Sequence, residues 1–414
     1  MKQDNFKVYG YRWIVLVVFM FIVAVTQLLW ITFAPITSDA TKFYGVSDLS
    51  IGFLSMSFMI VFIIVSIPAS WVIDTYGIRV GVGIGAVLTA VFGLLRGVWA
   101  SNYTLVLIAQ IGIAIGQPFV INAVTTVAAR WFPPRERGTA SGLGSLAMYL
   151  GIFLGLALTP YLTLHMQIGG MLLAYGIASV VAALVFIVFA RERPATPPCA
   201  PGMEVRSLVF DGFKQMLRQK EFILLLAIFF IGLGAFNAVT TWIEDIVRPN
   251  GFSSTQAGII GGLMIVGGIL GALVLPSLSD RYRKRTPFIT VALVGATLGL
   301  AGIAYATSYW LLLVAAFVMG FFLLSAGPIG FQYGAEITYP TPEGTSNGLL
   351  MLMGQVSGIL FIFGMDSFKS PVTGSMTLSL VVLIGLLVLG LVLSFLLKEP
   401  KTVVTESEKA AIAA

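Results

Sequence analysis

The sequence predicts an all-α membrane protein, with twelve transmembrane helices in two pseudo-symmetric six-helix bundles. Three observations predict it. Apolar residues make up 58% of the chain and charged residues only 10%, against about 25% charged in a soluble domain. The apolar residues gather into twelve runs, at roughly 13–37, 50–73, 80–100, 103–128, 139–163, 168–190, 222–243, 256–279, 287–306, 309–333, 345–367 and 375–397. Runs of about 18 or more apolar residues read as spanning helices. Finally, motifs recur at one offset of 206 residues: "RGTASGL" at 137–143 with "EGTSNGL" at 343–349, "DTYGIR" at 74–79 with "DRYRKR" at 280–285, and Trp30 with Phe236. Three matches at one offset indicate an internal duplication, and paired six-helix halves are a transporter arrangement.

The elements follow in order. Arg12 and Trp13 open into a run too long for a signal peptide, so the first span is expected to remain in the membrane. Residues 1–190 form the first bundle. Residues 191–221 break the apolar pattern as a Pro-rich central loop, with a short amphipathic surface helix expected over 204–219. Residues 222–397 form the second bundle, and 398–414 a tail. If both termini share one side, 20 of the 24 Lys and Arg fall on it, and only Lys42, Arg96, Arg248 and Lys369 on the other. That asymmetry places both termini in the cytoplasm, and a plasma (inner) membrane location is expected. The positive balance is therefore a topology signal, with no case for a nucleic-acid partner. The expected partners are the bilayer and a small-molecule substrate, bound by a monomer.

No nucleophile, acid–base pair or metal cluster converges in the spans, so neither an enzyme nor a cofactor is expected. Cys199 stands alone in the central loop, and His165 reads as a solvated side chain near a helix end. What the spans do carry is amides and aromatics. Gln27, Gln110, Gln117 and Asn122 sit in spans one and four; Asn237, Gln332 and Gln355 sit in spans seven, ten and eleven. Polar side chains at membrane depth are costly unless they face the bundle interior. An uncharged amide-lined cavity suits a cationic, zwitterionic or neutral solute, and Trp30 can hold a cation for about 0.5–2 kcal/mol. The bland alternative is that these amides only tie helices together, at about 0.6 kcal/mol each. Distal charges remain at Asp39, Arg96, Glu244, Asp245 and Asp366, either solvated or paired in an outer gate.

The Asp-containing loop between spans two and three, repeated between eight and nine, resembles the signature of the major facilitator superfamily. The first copy keeps Asp74, Gly77 and Arg79; the second keeps Asp280, Arg281, Lys284 and Arg285, with Arg283 at the glycine position. The resemblance implies the major facilitator fold and alternating access. It also implies that Asp74 and Asp280 meet the starts of helices eleven and five when the cytoplasmic side closes. The superfamily's fourth-helix Arg position holds Gln110, and the antiporter Gly-Pro pair is absent from "YLGIFLGLALTP". Proton-coupled carriers usually hold a titratable group within the bundle, so facilitated diffusion is expected. A proton- or cation-coupled carrier of a vitamin, organic acid or drug, and a non-transporting sensor on the same fold, are the alternatives.

A narrower resemblance rests on "WITFAPI" at 30–36, "KFYGV" at 42–46, "LSMSFM" at 54–59, "PASWVIDTYGIR" at 68–79 and "GFQYGAEITYPTPEGTSNGLL" at 330–350. These look like the feline leukaemia virus subgroup C receptor-related transporters, associated with choline, ethanolamine and haem. By that resemblance Trp30 faces the ammonium group, Gln117 and Gln355 line the site, and a family tyrosine position falls on Asn237, beside Phe236. Asn122 and Gln332 complete the expected substrate set. The expected gating set is Asp74, Arg79, Asp280, Arg281, Arg285, Glu336 and Glu343. Glu343 reads as a dipole-compensating residue after a Thr341 cap and Pro342. Glu336 lies at a helix C-terminus, where an acid is unfavourable. It is expected to pair with Arg79, Arg130, Arg281 or Arg285 and to help close the cytoplasmic side.

Overall fold

The computed structural model describes residues 8–133, 135–196, 198, 216–339 and 343–400. Cys199, residues 204–215 of the expected surface helix over 204–219, the Thr341–Pro342 cap and the tail beyond 400 lie outside the described residues.

The chain is helical in the order α1 (Tyr11–Ile31), a 3-10 turn (Ala34–Ile36), α2 (Thr37–Tyr44), α3 (Asp48–Tyr76), α4 (Ile78–Val98), α5 (Tyr103–Ile121), α6 (Val124–Trp131) and α7 (Arg137–Phe189). It continues with α8 (Lys220–Thr241), α9 (Ile243–Val247), α10 (Ser254–Tyr282), α11 (Thr286–Tyr305), α12 (Tyr309–Thr338), α13 (Glu343–Ser367) and α14 (Thr377–Ser394). Among the described residues, 11 helices are long and apolar enough to cross a membrane. One of them, α7, has 53 residues. Straight, it would run about 80 Å, more than twice a bilayer core. It turns at Gln167, whose φ of 60° and ψ of 174° are not helical. The two halves of α7 are thus two spans, and the twelve predicted runs are accounted for.

The duplication extends to the helix ends. Helices α3 and α10 correspond at an offset of 206 at both ends. Ser47 and Ser253 cap them by accepting the N–H of Ser50 and Gln256. Asn102 and Ser308, again 206 apart, cap α5 and α12 through Leu105 and Leu311. These short polar caps satisfy helix N–H groups that otherwise lack partners. Gly77 ends α3 at φ 97°; its counterpart Arg283 ends α10 in the left-handed region at φ 52°, at a cost of about 1 kcal/mol for a residue with a Cβ. Within each bundle, small residues let backbones touch. A Cβ at Gly151 of α7 would collide with the Ala24 carbonyl of α1, and one at Gly271 of α10 with the Phe321 carbonyl of α12. Such small-residue crossings are how membrane helices gain packing energy without a hydrophobic driving force.

The first six spans pack on one another, as do the last six. The bundles meet where α7 faces α10 and α3 faces α13. We call the end at which the chain enters α1 and leaves α14 the terminal face, and the opposite end the distal face.

Candidate functional site

The distal face holds the ionic contacts between bundles. Asp48, at the start of α3, accepts hydrogen bonds through Oδ2 from Arg248 at 2.9 Å and Lys369 at 2.5 Å. Both cations also reach Asp245 Oδ1, at 2.6 and 2.7 Å. Glu244 accepts from the backbone and hydroxyl of Ser38 at 3.0 and 2.7 Å, and Ser254 donates to Asp39 at 2.8 Å. Asp39 and Glu244 therefore join the halves rather than face solvent, and Asp245 holds the two cations that Asp48 of the other half binds. Asp245 is fully buried, and its Oδ2 has no partner among the described residues. Burial pushes its carboxyl up to about 7, against the opposing pull of Lys369 and Arg248. A vestibule of about 1110 Å³ opens beside the cluster, lined by Asp39, Phe43, Glu244, Arg248 and Phe252 among others. None of the expected substrate residues lines it.

Deeper in, the two halves cross at α3 and α13. A Cβ at Gly358 would stand 2.7 Å from the Met59 sulfur and 2.9 Å from Asn237 Nδ2. Asn237 donates to the Gly354 carbonyl at 3.1 Å, one residue before Gln355. Trp30, 6% exposed, donates its indole N–H to the Ser55 carbonyl at 3.2 Å, one turn distal to Met59. Trp30, Asn237 and the Gln355 backbone are thus linked around one crossing, with Phe236 buried beside Asn237.

The amides divide into two groups. Asn122 donates to the Ser66 carbonyl at 3.1 Å and to the Ser66 and Ser70 hydroxyls at 3.0 Å. Gln110 is fully buried and bonded to Arg96. These two tie helices within the first bundle, with the Asn122 amide nitrogen committed to Ser66 and Ser70. Gln117 is 6% exposed and Gln355 half-buried, and neither amide makes a hydrogen bond among the described residues. Gln27 likewise keeps a buried Oε1 without a partner. Gln332 sits elsewhere, exposed near the terminal face, donating to Glu336 at 2.9 Å.

Arg96 differs from its expectation as a solvated or gate charge. It is fully buried inside the first bundle, bonded to the Leu29 carbonyl at 3.0 Å, Gln110 at 2.7 Å and Thr32 at 3.3 Å. Only two residues separate it from the end of α4, so sequence position suggested water. The orphan carbonyls at the end of α1 and the Gln110 amide take water's place.

At the terminal face the following pairs, all among the described residues, lie within one bundle. Glu336 meets Arg285 at 2.9 Å, and Arg285 also contacts Asp280. Arg130 pairs with Glu192, which accepts the N–H groups of Ile78 and Arg79 at 3.1 and 2.8 Å. In the second bundle Glu399 accepts the N–H groups of Arg285 and Thr286 at 3.0 and 2.9 Å. Each carboxylate sits on the first turn of α4 or α11, where the helix dipole favours an anion. Asp74 and Arg281 are exposed. Glu343 opens α13; its side chain lies outside the described residues.

The Major Facilitator Superfamily matches residues 15–362. The chain belongs to the major facilitator superfamily. It is 31% identical over 383 residues to solute carrier family 49 member A3 of Danio rerio, covering 89% of this chain and 80% of that protein. It is 28% identical over 423 residues to the choline/ethanolamine transporter flvcr2b of Danio rerio, covering 95% and 86%. These matches bear out the narrower resemblance drawn from the motifs. Among solved structures, a D-xylose-proton symporter superposes with a TM-score of 0.76 at 15% identity, covering 95% of this chain and 99% of that one. A bacterial homolog of the human lysosomal transporter Spinster, inward-facing and unoccupied, gives 0.73 at 16%, covering 94% and 98%. This major facilitator protein is accordingly a multi-pass membrane protein and a secondary transporter of a small molecule.

Four residues of this major facilitator protein were not legible as functional from the sequence. Asp48 and Lys369 were not singled out, because charges in short loops look solvated until the halves are juxtaposed. Glu192 and Glu399 stand in "RERP" and "KEPK", 207 residues apart. The one-residue slip from the main offset, and the weak identity of these segments, hid a correspondence that the capping geometry displays.

Proposed function

We propose that the protein carries a small amine-type solute across the plasma (inner) membrane by facilitated diffusion and alternating access. It acts as a monomer with both termini in the cytoplasm, which makes the terminal face the inner one. The observation that carries this reading is the division among the amides. Gln117 and Gln355 remain without partners among the described residues, Gln355 beside the crossing where Asn237 is held, and no carboxylate takes part in the contacts found there. The indole offers a cation–π face. The unpaired amide oxygens accept hydrogen bonds, which a primary amine can donate and a quaternary ammonium cannot. The names of the choline/ethanolamine transporter relatives agree with an amine, and the free oxygens favour ethanolamine-like over choline-like solutes.

The terminal-face residues Asp74, Arg79, Asp280, Arg281, Arg285, Glu336 and Glu343 then act when the inner side closes and the distal cluster parts. One observation favours a second reading. Asp245, buried with an unpartnered oxygen and a raised pKa, is placed to couple closure to a proton, which would make the protein a proton-linked carrier.

Binding decides the first reading. Ligands that bind only the folded state raise its melting temperature by mass action. Ethanolamine and, more weakly, choline should stabilise the purified protein. Trp30→Ala should weaken ethanolamine binding more than about tenfold, from lost cation–π contact and pocket area, with Trp30→Phe milder. Unchanged affinity in the Ala variant would leave Trp30 a packing residue and remove the support for this site.

A further inference from the structure

Arg96 is a fully buried cation that the transport reading does not use. Its surroundings tie it to Trp30 along two routes. Helix α1 ends at Ile31, so the Leu29 carbonyl is among the last four of the helix and lacks an intrahelical partner. Arg96 Nη1 fills that role at 3.0 Å, one residue before Trp30, while Nη2 reaches Thr32 two residues after it. The guanidinium thus grips the backbone segment that carries the indole from both sides. A cation at a helix C-terminus is also favoured by the dipole, which explains how the charge persists with no carboxylate bonded to it among the described residues.

The second route runs through Gln110. Arginine has only donors, so the 2.7 Å contact from Arg96 Nη1 fixes which end of the Gln110 amide is oxygen. The amide nitrogen is thereby turned towards the carbonyls of Leu54, at 3.3 Å, and Leu29, at 3.5 Å. Leu29 precedes Trp30, and Leu54 precedes Ser55, the acceptor of the Trp30 indole N–H. One side-chain amide therefore joins the two backbone points that set the ring's position.

We propose that Arg96, acting through Gln110, is a positioning residue for Trp30. It locks the end of α1 against α3 so that the indole is presented in one orientation to the solute. The proposal rests on reading Trp30 as a substrate contact, and its test separates the two ideas. Arg96→Lys keeps the charge but loses the fork that reaches Leu29, Gln110 and Thr32 together. Gln110→Glu keeps an acceptor for Arg96 and removes both N–H donors, so it serves if the lysine variant folds poorly.

The experiment uses the purified full-length chain with ethanolamine as the probe. Arg96→Lys should weaken binding about tenfold with Trp30 present and less than about twofold in the Trp30→Ala background, a coupling of the size seen between residues in one network. Amide exchange over residues 28–36 should speed up in either variant, while the second bundle is unaffected. Equal losses of affinity with and without Trp30, or unchanged exchange over 28–36 in a folded variant, would overturn the proposal. If Trp30→Ala alone leaves ethanolamine binding intact, the substrate reading fails and so does the presentation of the ring to a solute. The exchange data would then show only whether the clamp on α1 exists.

Discussion

Two glycines near the distal face and three near the terminal face meet opposite surroundings. Near the distal face, a Cβ at Gly258 of α10 would strike the Leu156 carbonyl of α7, and one at Gly52 would stand 2.8 Å from the Trp242 ring. Near the terminal face, Gly138, Gly142 and Gly348 have open space where a Cβ would go. The charged residues divide the same way. Distal carboxylates and cations bond across the two bundles, whereas Glu336, Arg285, Glu192 and Arg130 pair inside their own. The lesson concerns where the energy of the closed gate resides. In this conformation the distal end is held by differential contacts, and the pairs described above at the terminal end do not require the bundles to meet. A two-state equilibrium responds only to interactions that differ between its states, so distal substitutions should move it through contacts made in this conformation, and terminal ones only through contacts made when the terminal face closes.

The largest effect is expected from Asp48→Asn. This carboxylate is the first-bundle partner of both Arg248 and Lys369. Removing one partner of a buried pair costs about 3–5 kcal/mol; with 22% of the side chain exposed, about 1–3 kcal/mol is the fitting range, a shift of about 5- to 150-fold. A cysteine replacing Met59, in a chain with Cys199 replaced, should react much faster with an impermeant thiol reagent supplied from the distal side. Unchanged labelling would mean that the cluster does not hold the gate.

Gly258→Val comes next. The neighbour is backbone, which cannot step aside as a flexible side chain can, so overpacking of about 1–3 kcal/mol falls on the distal-closed state alone. Distal labelling of the same cysteine should rise, while Gly348→Ala at the terminal face should leave it unchanged. Equal behaviour of the two variants would erase the contrast between the ends.

A smaller effect concerns pH. Asp245 faces Asp48, Glu244, Arg248 and Lys369, and burial raises its carboxyl to about 7. When the halves part and water enters, it falls back towards the ordinary carboxylate range, so closing the distal face takes up a proton. That contribution is complete at acid pH and is lost as pH rises through about 7. Raising pH from about 5 to about 8 should therefore favour the distal-open state, and Asp245→Asn should flatten the dependence. A dependence of opposite sign would show that the charged Asp245 is what holds the cations together.

The smallest effect is expected at Glu336. Its bond to Arg285 is already made within the second bundle, so Glu336→Gln removes a contact that both states can keep. Labelling of a cysteine deep on the terminal side should rise less than about fivefold, the most that a partly exposed pair of about 1 kcal/mol allows. A larger rise would show that Glu336 has a partner across the halves when the terminal face closes.

Much of the fold was legible because a bilayer imposes length and polarity on every span. Twelve apolar runs and the 206-residue offset give the two bundles, and even the break at Gln167 falls between two of the predicted runs. The arginine partner of Glu336 was legible as a class, since an acid at a helix end beside basic loops needs one. Other features were not legible. That Gln110 and Asn122 tie helices while Gln117 and Gln355 do not depends on which neighbour each amide meets. Composition is blind to that. Arg96 looked like a loop-end charge because only tertiary packing reveals the carbonyls that receive it. The distal cluster draws on three loops far apart in sequence, whose meeting the duplication does not encode.

An uncharged aromatic and amide crossing is proposed to carry an amine down its gradient. Uptake of labelled ethanolamine by the purified protein in sealed vesicles, with a proton gradient imposed, tests it most directly. Saturable uptake is expected that levels off at the external concentration, is indifferent to the gradient and is strongly reduced by Trp30→Ala. Accumulation above the external concentration would contradict it in favour of proton coupling at Asp245, and uptake no faster than in protein-free vesicles would contradict the choice of an amine.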